Sequence, residues 1–147
     1  TWTHLNNISV GQTTTLAVRN ESAPYTIITG LQDNGTMMGK SNYTPGRSPL
    51  DAWVDIGGGD GSHVAIDPRP DLGLIYGASQ FGAHYAFEEK TGIRYRAAAS
   101  ARRGEEPLRY NWISPLIISS HIPDIIYLGS QYVHRSFDRG RTWQKIS

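Results

Sequence analysis

The sequence predicts an all-β fold built from consecutive four-stranded antiparallel sheets. Apolar stretches of strand length recur along the 147 residues. Gly, Pro, Asn and Asp interrupt them about every eight to twelve residues, as between short strands. No stretch has a helical apolar period. Three long stretches also match one another when stacked, and this repetition predicts three equivalent sheets.

The repeated unit has a fixed order of features. Each copy has an apolar strand, a polar or Pro-containing turn, a second strand with small residues, and then a glutamine. The copies are TTTLAVRNESAPYTIITGLQDNG from residue 13, GSHVAIDPRPDLGLIYGASQFG from residue 61, and ISPLIISSHIPDIIYLGSQYV from residue 113. Their glutamines, Gln32, Gln80 and Gln131, lie 48 and 51 residues apart. This period is typical of the blades of a β-propeller.

We therefore expect the whole chain to be one propeller segment of about three blades. The expected blades are approximately 13–56, 61–97 and 113–147. Their strands are expected at 14–19, 25–31, 35–40 and 53–56, at 63–67, 74–79, 84–89 and 93–97, and near 115–120, 125–130, 132–137 and 142–146. A propeller ring typically needs four to eight blades, so three blades leave the ring incomplete.

The composition disfavours several functional classes. The formal net charge is +1, from 14 Lys and Arg against 13 Asp and Glu, so no general field attracts nucleic acid. The chain has no cysteine, which removes disulfides, thiolate metal sites and cysteine nucleophiles. Its apolar runs are too short for membrane insertion. The five histidines lack metal-ligand spacing, so we expect neither a metal nor a cofactor.

Two local patterns leave alternatives open. The irregular segment 98–112 is rich in arginine, but Glu105 and Glu106 offset that charge, and a solvated loop is favoured over a phosphate or nucleic-acid site. Four asparagines lie in N-x-S/T triplets, which serve as glycosylation sites in secreted eukaryotic proteins. The first third of the chain is rich in Ser and Thr, so chance occurrence is favoured. These asparagines are Asn7, Asn20, Asn34 and Asn42.

Residues 136–143 match the pattern S-x-D-x-G-x-T-W at every fixed position. The spacing predicts a hairpin turn in which Asp138 accepts hydrogen bonds and Gly140 adopts positive φ. Ser136 and Thr142 would flank the turn, and Trp143 would form an apolar wedge. This pattern resembles the Asp-box, or BNR repeat, of β-propellers such as sialidases, xyloglucan-degrading enzymes and sortilin-type domains. In those families the box is structural.

Further segments extend the resemblance over most of the chain. IITGLQDNG, IYGASQFG, LRYNWISP and HRSFDRGRTW are similar to bacterial sortilin-like and xyloglucanase-like glycoside hydrolase propellers. The resemblance implies a secreted or periplasmic protein. Those proteins have more blades, so the expected partners are the remaining blades of a longer chain or copies of this chain. TWTHL resembles TWQKI at residues 142–146, which makes 1–6 a leftover outer strand.

Two carboxylates are the candidate catalytic residues. Asp60 lies in GGGDG and Asp33 in LQDNG, and a glycoside hydrolase needs a pair of carboxylates across its sugar. A turn-forming role is the alternative for each, and it is favoured for both. A sialidase is disfavoured because no Arg-Ile-Pro segment is present.

Aromatic residues are the better candidates for ligand binding. Phe81 and Tyr132 each follow a repeated glutamine, and we therefore group them with Gln80 and Gln131 as the expected ligand-binding residues. Other candidates are Tyr43, Trp53, Tyr85 and Trp112, although packing between blades is favoured for the tryptophans.

The sequence therefore favours a binding scaffold for glycan or protein. Two alternatives stay open, a glycoside hydrolase with its carboxylates on blade loops and a purely structural, self-assembling module. Whether the chain is an enzyme is left undecided, since the recognisable motif is expected to be structural.

Overall fold

The computed structural model describes residues 2, 11–42 and 52–147. These residues form three four-stranded antiparallel sheets, each made of strands consecutive in sequence. The expected outer strand 1–6, apart from Trp2, lies outside the described residues, and so do Asn7 and Tyr43.

The twelve strands follow the turn residues of the sequence. The first sheet contains β1 (Thr13–Val18), β2 (Thr26–Leu31), β3 (Gly35–Lys40) and β4 (Trp53–Gly57). The second contains β5 (Val64–Ile66), β6 (Leu74–Ser79), β7 (Ala83–Glu88) and β8 (Ile93–Arg96). The third contains β9 (Leu116–Ile118), β10 (Ile126–Gly129), β11 (Val133–Ser136) and β12 (Gln144–Lys145). A short 3₁₀ turn, Gln80–Gly82, joins β6 to β7. Every strand boundary lies within two residues of its predicted position, which confirms the four-stranded antiparallel plan.

The second sheet lies between the other two. Its first strand β5 contacts both β1 and β9, so the three first strands lie side by side. Two separate apolar clusters join the sheets. The cluster between the first and second sheets contains Ile28, Ile56, Val64 and Ile75. The cluster between the second and third contains Leu74, Tyr76, Ala86, Ala97, Ala99, Leu116, Ile126 and Leu128.

The strand registers arrange the side chains of the second sheet in rows on alternate faces. One central row faces the third sheet, and two flanking rows face the first. The central row is Ala65, Tyr76, Ala86 and Tyr95. The flanking rows are Val64, Gly77, Tyr85 and Arg96, and Ile66, Ile75, Phe87 and Arg94.

The other two sheets also present their side chains in central and flanking rows on alternate faces. The central row of the first sheet packs against the second sheet's flanking rows, and the flanking rows of the third sheet pack against the second sheet's central row. The first sheet's central row is Ala17, Ile28, Met38 and Val54. Val54 is 54% exposed, and Ile56 is the β4 residue that packs in the cluster. The third sheet's flanking rows are Leu116, Leu128, His134 and Lys145, and Ile118, Ile126 and Ser136. Each interface therefore places one central row between the two flanking rows of the next sheet.

Glycine allows the connection between the first and second sheets to lie directly on the first sheet. A Cβ atom added to Gly61 would overlap the carbonyl oxygen of Gly35, a main-chain atom that cannot rotate away. Gly61 N–H also donates to the Leu31 carbonyl at 2.9 Å. The connection is therefore fixed by main-chain contacts that no larger residue permits.

We predict that Gly61→Ala destabilises the fold by about 3 kcal/mol, because the added methyl group forces the connection off the first sheet. Gly58→Ala is the matched control, since a Cβ atom there would meet nothing within 4 Å. Urea unfolding of both variants measures the difference. Equal stability of the two variants would contradict this account of the connection.

Candidate functional site

One edge of the three sheets carries most of the residues that the sequence singled out. It holds the turns after the second strands and the connections that enter each sheet, because antiparallel order places these segments at the same end. We call this edge the connection surface. It consists of residues 32–34, 58–63, 80–82, 98–115 and 130–132.

Asp60 and Asp33 meet on this surface, but only one of them contributes its carboxylate. Asp60 is buried, and its Oδ1 accepts hydrogen bonds from Asp33 N–H at 2.8 Å and from Gln32 Nε2 at 2.9 Å. Asp33 is exposed and has a positive φ of 62°. The Asp60 carboxylate thus stabilises the hairpin turn that follows β2.

The repeated glutamines hold the connections in place. Gln80 Oε1 accepts a hydrogen bond from Asp60 N–H at 3.0 Å. Gln131 Oε1 accepts from Arg109 N–H at 2.7 Å, and its Nε2 donates to the Pro107 carbonyl at 3.1 Å. Each side chain therefore binds the main chain of the connection that enters its own sheet.

Sequence reasoning missed this role of Gln80 and Gln131, which it grouped with the ligand-binding residues. The signal that could have revealed this role is the similar number of residues between each glutamine and the connection that it binds. Gln80 lies 20 residues after its partner and Gln131 lies 22 residues after its own. Most side-chain hydrogen bonds go to main-chain groups or water, so a glutamine repeated at nearly the same distance from each connection is consistent with a role in holding that connection.

Phe81 and Trp112 form an exposed aromatic pair on the connection surface. Their ring centroids are 5.1 Å apart and the rings meet edge to face. Phe81 is 61% exposed and Trp112 is 46% exposed. Phe81 N–H also donates to the Trp112 carbonyl at 3.2 Å. The sequence favoured packing between blades for Trp112, whereas the structure places its ring at the surface beside Phe81.

The long connection 98–115 is anchored under this pair. The ring of Tyr110 occupies the space that a Cβ atom of Gly82 would need, and its hydroxyl donates to the Ala99 carbonyl at 3.1 Å. The buried ring of His84 lies 3.0 Å from the Ser114 carbonyl. Burial raises the pKa of Tyr110 and lowers the pKa of His84, so both stay neutral. These contacts fix the position of Trp112.

A groove of about 490 Å³ opens on the connection surface near Trp112. It begins at Tyr110 and Asn111, the two residues before Trp112. Its remaining lining residues are Arg109, Ser114, Pro115, Gly129, Ser130 and Gln131. The groove therefore lies beside the segment that carries Trp112, although neither ring of the aromatic pair lines it.

Tyr132 has a different environment from Phe81, although both follow a repeated glutamine. The Lys145 ammonium lies 4.5 Å from the centroid of its ring, and the His134 ring meets it edge to face at 6.4 Å. His134 is buried, and Ser130 Oγ lies 2.8 Å from its Nε2. Burial lowers the pKa of His134. Tyr132 is thus half-buried against a cation.

No family model and no curated protein matches the chain. Within residues 11–42 and 52–147, no group of three His, Asp or Glu residues could hold a metal ion. Over the same residues, no helix has the length and apolarity to cross a membrane. The site must therefore be interpreted from its geometry.

The motif at residues 136–143 lies at the opposite edge of the third sheet and forms a closed network. Asp138 Oδ1 accepts from Ser136 Oγ at 2.7 Å and from Thr142 N–H at 2.8 Å, and its Oδ2 accepts from Thr142 Oγ1 at 2.6 Å. Gly140 has a φ of 86°. Trp143 Nε1 donates to the Gly140 carbonyl at 3.1 Å, and its ring packs on the apolar cluster.

Ionic contacts tie this turn to the second sheet. Asp124 Oδ1 accepts from Arg139 Nε at 2.6 Å and from Arg69 at 2.8 Å. Arg69 also contacts the buried carboxylate of Asp67 at 2.7 Å. The hydrogen bonds from Arg69 and Arg139 lower the pKa of Asp124 to about 2. The turns of two neighbouring sheets are thereby joined at the edge opposite the connection surface.

We predict that Asp138→Asn lowers stability at pH 7 by about 1 kcal/mol, as expected for lost charge-assisted hydrogen bonds. Burial alone would raise the pKa of Asp138, but hydrogen bonds from Thr142 and Ser136 outweigh it and lower the pKa. The ionised form therefore stabilises the fold above the unfolded-state pKa of about 4, and this contribution disappears as pH falls through the folded-state pKa.

Urea unfolding at pH 7 and near pH 2 measures this contribution. The difference between the wild type and Asp138→Asn should shrink at the lower pH. Asp71→Asn, at an exposed turn position, is the control and should change stability little at either pH. A pH-independent difference for Asp138→Asn would show that its charge does not matter.

Proposed function

We propose that this chain is a segment of a β-propeller-like ring whose connection surface binds a ligand, with carbohydrate as the favoured ligand. The ring is supported by three consecutive four-stranded sheets whose first strands lie side by side. It is also supported by a single packing rule at both sheet interfaces. In a propeller the blades repeat radially around a central channel in this manner.

The observation that carries the binding proposal is the Phe81 and Trp112 pair. Large aromatic side chains exposed together provide apolar faces on which sugar rings can stack. The pair is also held in place before any ligand arrives, by the hydrogen bond between Phe81 and Trp112 and by Tyr110 packing against Gly82. A preformed surface binds with a smaller loss of conformational entropy.

We propose that the groove near Trp112 supplies the polar half of the carbohydrate site. Sugars require hydrogen-bond partners for their hydroxyl groups in addition to an apolar face. The exposed Asn111 lines this groove, whereas the Ser130 hydroxyl is already bonded to His134 and to the Tyr132 main chain. Arg109 adds a cation that favours an acidic or strongly hydrogen-bonding ligand. Aromatic stacking with adjacent polar groups favours a glycan over a purely apolar peptide.

The catalytic alternative receives less support. Hydrolysis of a glycoside requires two carboxylates on opposite sides of the scissile bond. Asp60 is buried and its Oδ1 already accepts two hydrogen bonds from the turn after β2. Asp33 joins that network through its main chain. We therefore assign Asp60 and Asp33 a structural role and propose binding as the function.

We predict that Phe81→Ala and Trp112→Ala each weaken carbohydrate binding by on the order of 30-fold, the usual effect of removing an aromatic anchor. A glycan array of neutral and acidic oligosaccharides identifies the ligand, and calorimetric titration measures its affinity. Tyr25→Ala is the matched control, because Tyr25 is also exposed but lies between β1 and β2, at the opposite edge.

The control should bind as the wild type does. Absence of binding to every oligosaccharide would overturn carbohydrate as the ligand. Equal affinity of the wild type and both aromatic variants would overturn the connection surface as the site.

A further inference from the structure

We propose that the third sheet of one chain docks onto the first sheet of a second copy, and that two such contacts close a ring of six sheets from two chains. This inference concerns the outer faces of the sheets and is independent of any ligand at the connection surface. It follows from the row pattern that forms both interfaces within the chain.

The third sheet presents a central row with no counterpart on its outer side within the described residues. This row lies in the register that the central rows of the other two sheets occupy in their interfaces. Ile117 is 61% exposed and Tyr127 is half-buried. By contrast, Tyr76, which is the equivalent of Tyr127 in the second sheet, is only 1% exposed. The outward row is Ile117, Tyr127, Arg135 and Gln144.

The first sheet presents the complementary pair of flanking rows. Leu16 and Val18 occupy the positions that Val64 and Ile66 hold in the second sheet, but they are 60% and 50% exposed. The outward rows are Leu16, Thr29, Met37 and Asp55, and Val18, Ile27, Gly39 and Trp53. A central row inserted here would repeat the packing at the two existing interfaces.

The polar residues of the two faces are also complementary. Arg135 lies in the outward central row, where its guanidinium lies 4.5 Å from the centroid of the Phe137 ring and donates to Gln144 Oε1 at 3.2 Å. Its Nε has no hydrogen-bond partner among the described residues. On the first sheet, the Trp53 ring lies across Gly39, and Asp55 is exposed in the neighbouring row. A guanidinium inserted between these rows would meet a carboxylate and an indole face, two groups that bind arginine.

A second copy is the occupant that these observations identify. The two outer faces complement each other, yet they cannot meet within one chain because the second sheet lies between them. With strands about 4.8 Å apart and about 3.3 Å per residue, the first sheet's strands of five or six residues give a face of roughly 400 Å². The third sheet's strands of two to four residues give about half of that area. One contact is therefore well below the about 1,600 Å² of a stable interface, so a stable dimer requires both contacts of the closed ring together.

The first test introduces a charge into each face. Ile117→Glu and Leu16→Glu should each weaken association by on the order of 100-fold or more, because a buried unpaired carboxylate opposes docking. Ile122→Glu and Ile93→Glu are matched controls at positions 54% and 55% exposed that lie outside both rows. Light scattering of the full chain should give twice 16.3 kDa for the wild type and both controls.

The second test identifies which faces meet. The chain contains no cysteine, so Leu16→Cys and Ile117→Cys provide the only thiols when the two variants are mixed. Facing sheets lie about 10 Å apart, which suits a short bis-maleimide reagent. Cross-linking should join Leu16→Cys to Ile117→Cys chains, and a mixture of Leu16→Cys with Ile122→Cys should stay uncross-linked.

Three results would overturn the proposal. One is a wild-type chain that stays monomeric at about 100 µM, as expected if blades of a longer chain cover these faces. Another is a dimer that survives both glutamate substitutions with its circular dichroism spectrum unchanged. The third is a dimer that cross-links equally with Ile122→Cys. If a glutamate variant fails to fold, the cross-linking result decides alone.

Discussion

The structure depends on the burial of the second sheet on both faces. Tyr76 and Ile75 are adjacent in β6, point to opposite faces, and are 1% and 0% exposed. Each belongs to a different apolar cluster. Because apolar burial is the main favourable term in folding, the second sheet holds the other two in place. The outer sheets have only one such partner within the described residues, and this asymmetry gives the chain its two exposed apolar faces.

Polar contacts then fix the sheets at both ends. On the connection surface, Gln80 and Gln131 bind main-chain groups of the connections. At the opposite edge, Asp124 joins Arg69 to Arg139. These bonds satisfy groups that would otherwise lie unpaired beside a core. Hydrogen bonds are directional whereas apolar contacts are not, so these bonds fix the orientation of the sheets and the position of the connections.

The sequence predicted the strands well because strand and turn signals are local. Gly92, for example, has a positive φ of 71° in the turn between β7 and β8, a conformation that glycine adopts at little cost. The site was less predictable because it joins residues distant in sequence. Nothing near Trp112 indicates that its ring meets Phe81. Local sequence also cannot distinguish Tyr76 from Tyr127, since their different burial depends only on whether another sheet packs against them.

The motif at residues 136–143 lies apart from the residues that we propose bind a ligand. The network around Asp138 uses both of its carboxylate oxygens and lies at the edge away from the aromatic pair. A residue whose polar atoms are all satisfied internally has little left to offer a ligand. By contrast, Phe81, Trp112 and the outward rows expose apolar surface that the fold itself does not need to expose. We therefore expect function at the apolar surfaces that folding leaves exposed, whereas the motif at residues 136–143 stabilises its turn and packs Trp143 on the apolar cluster.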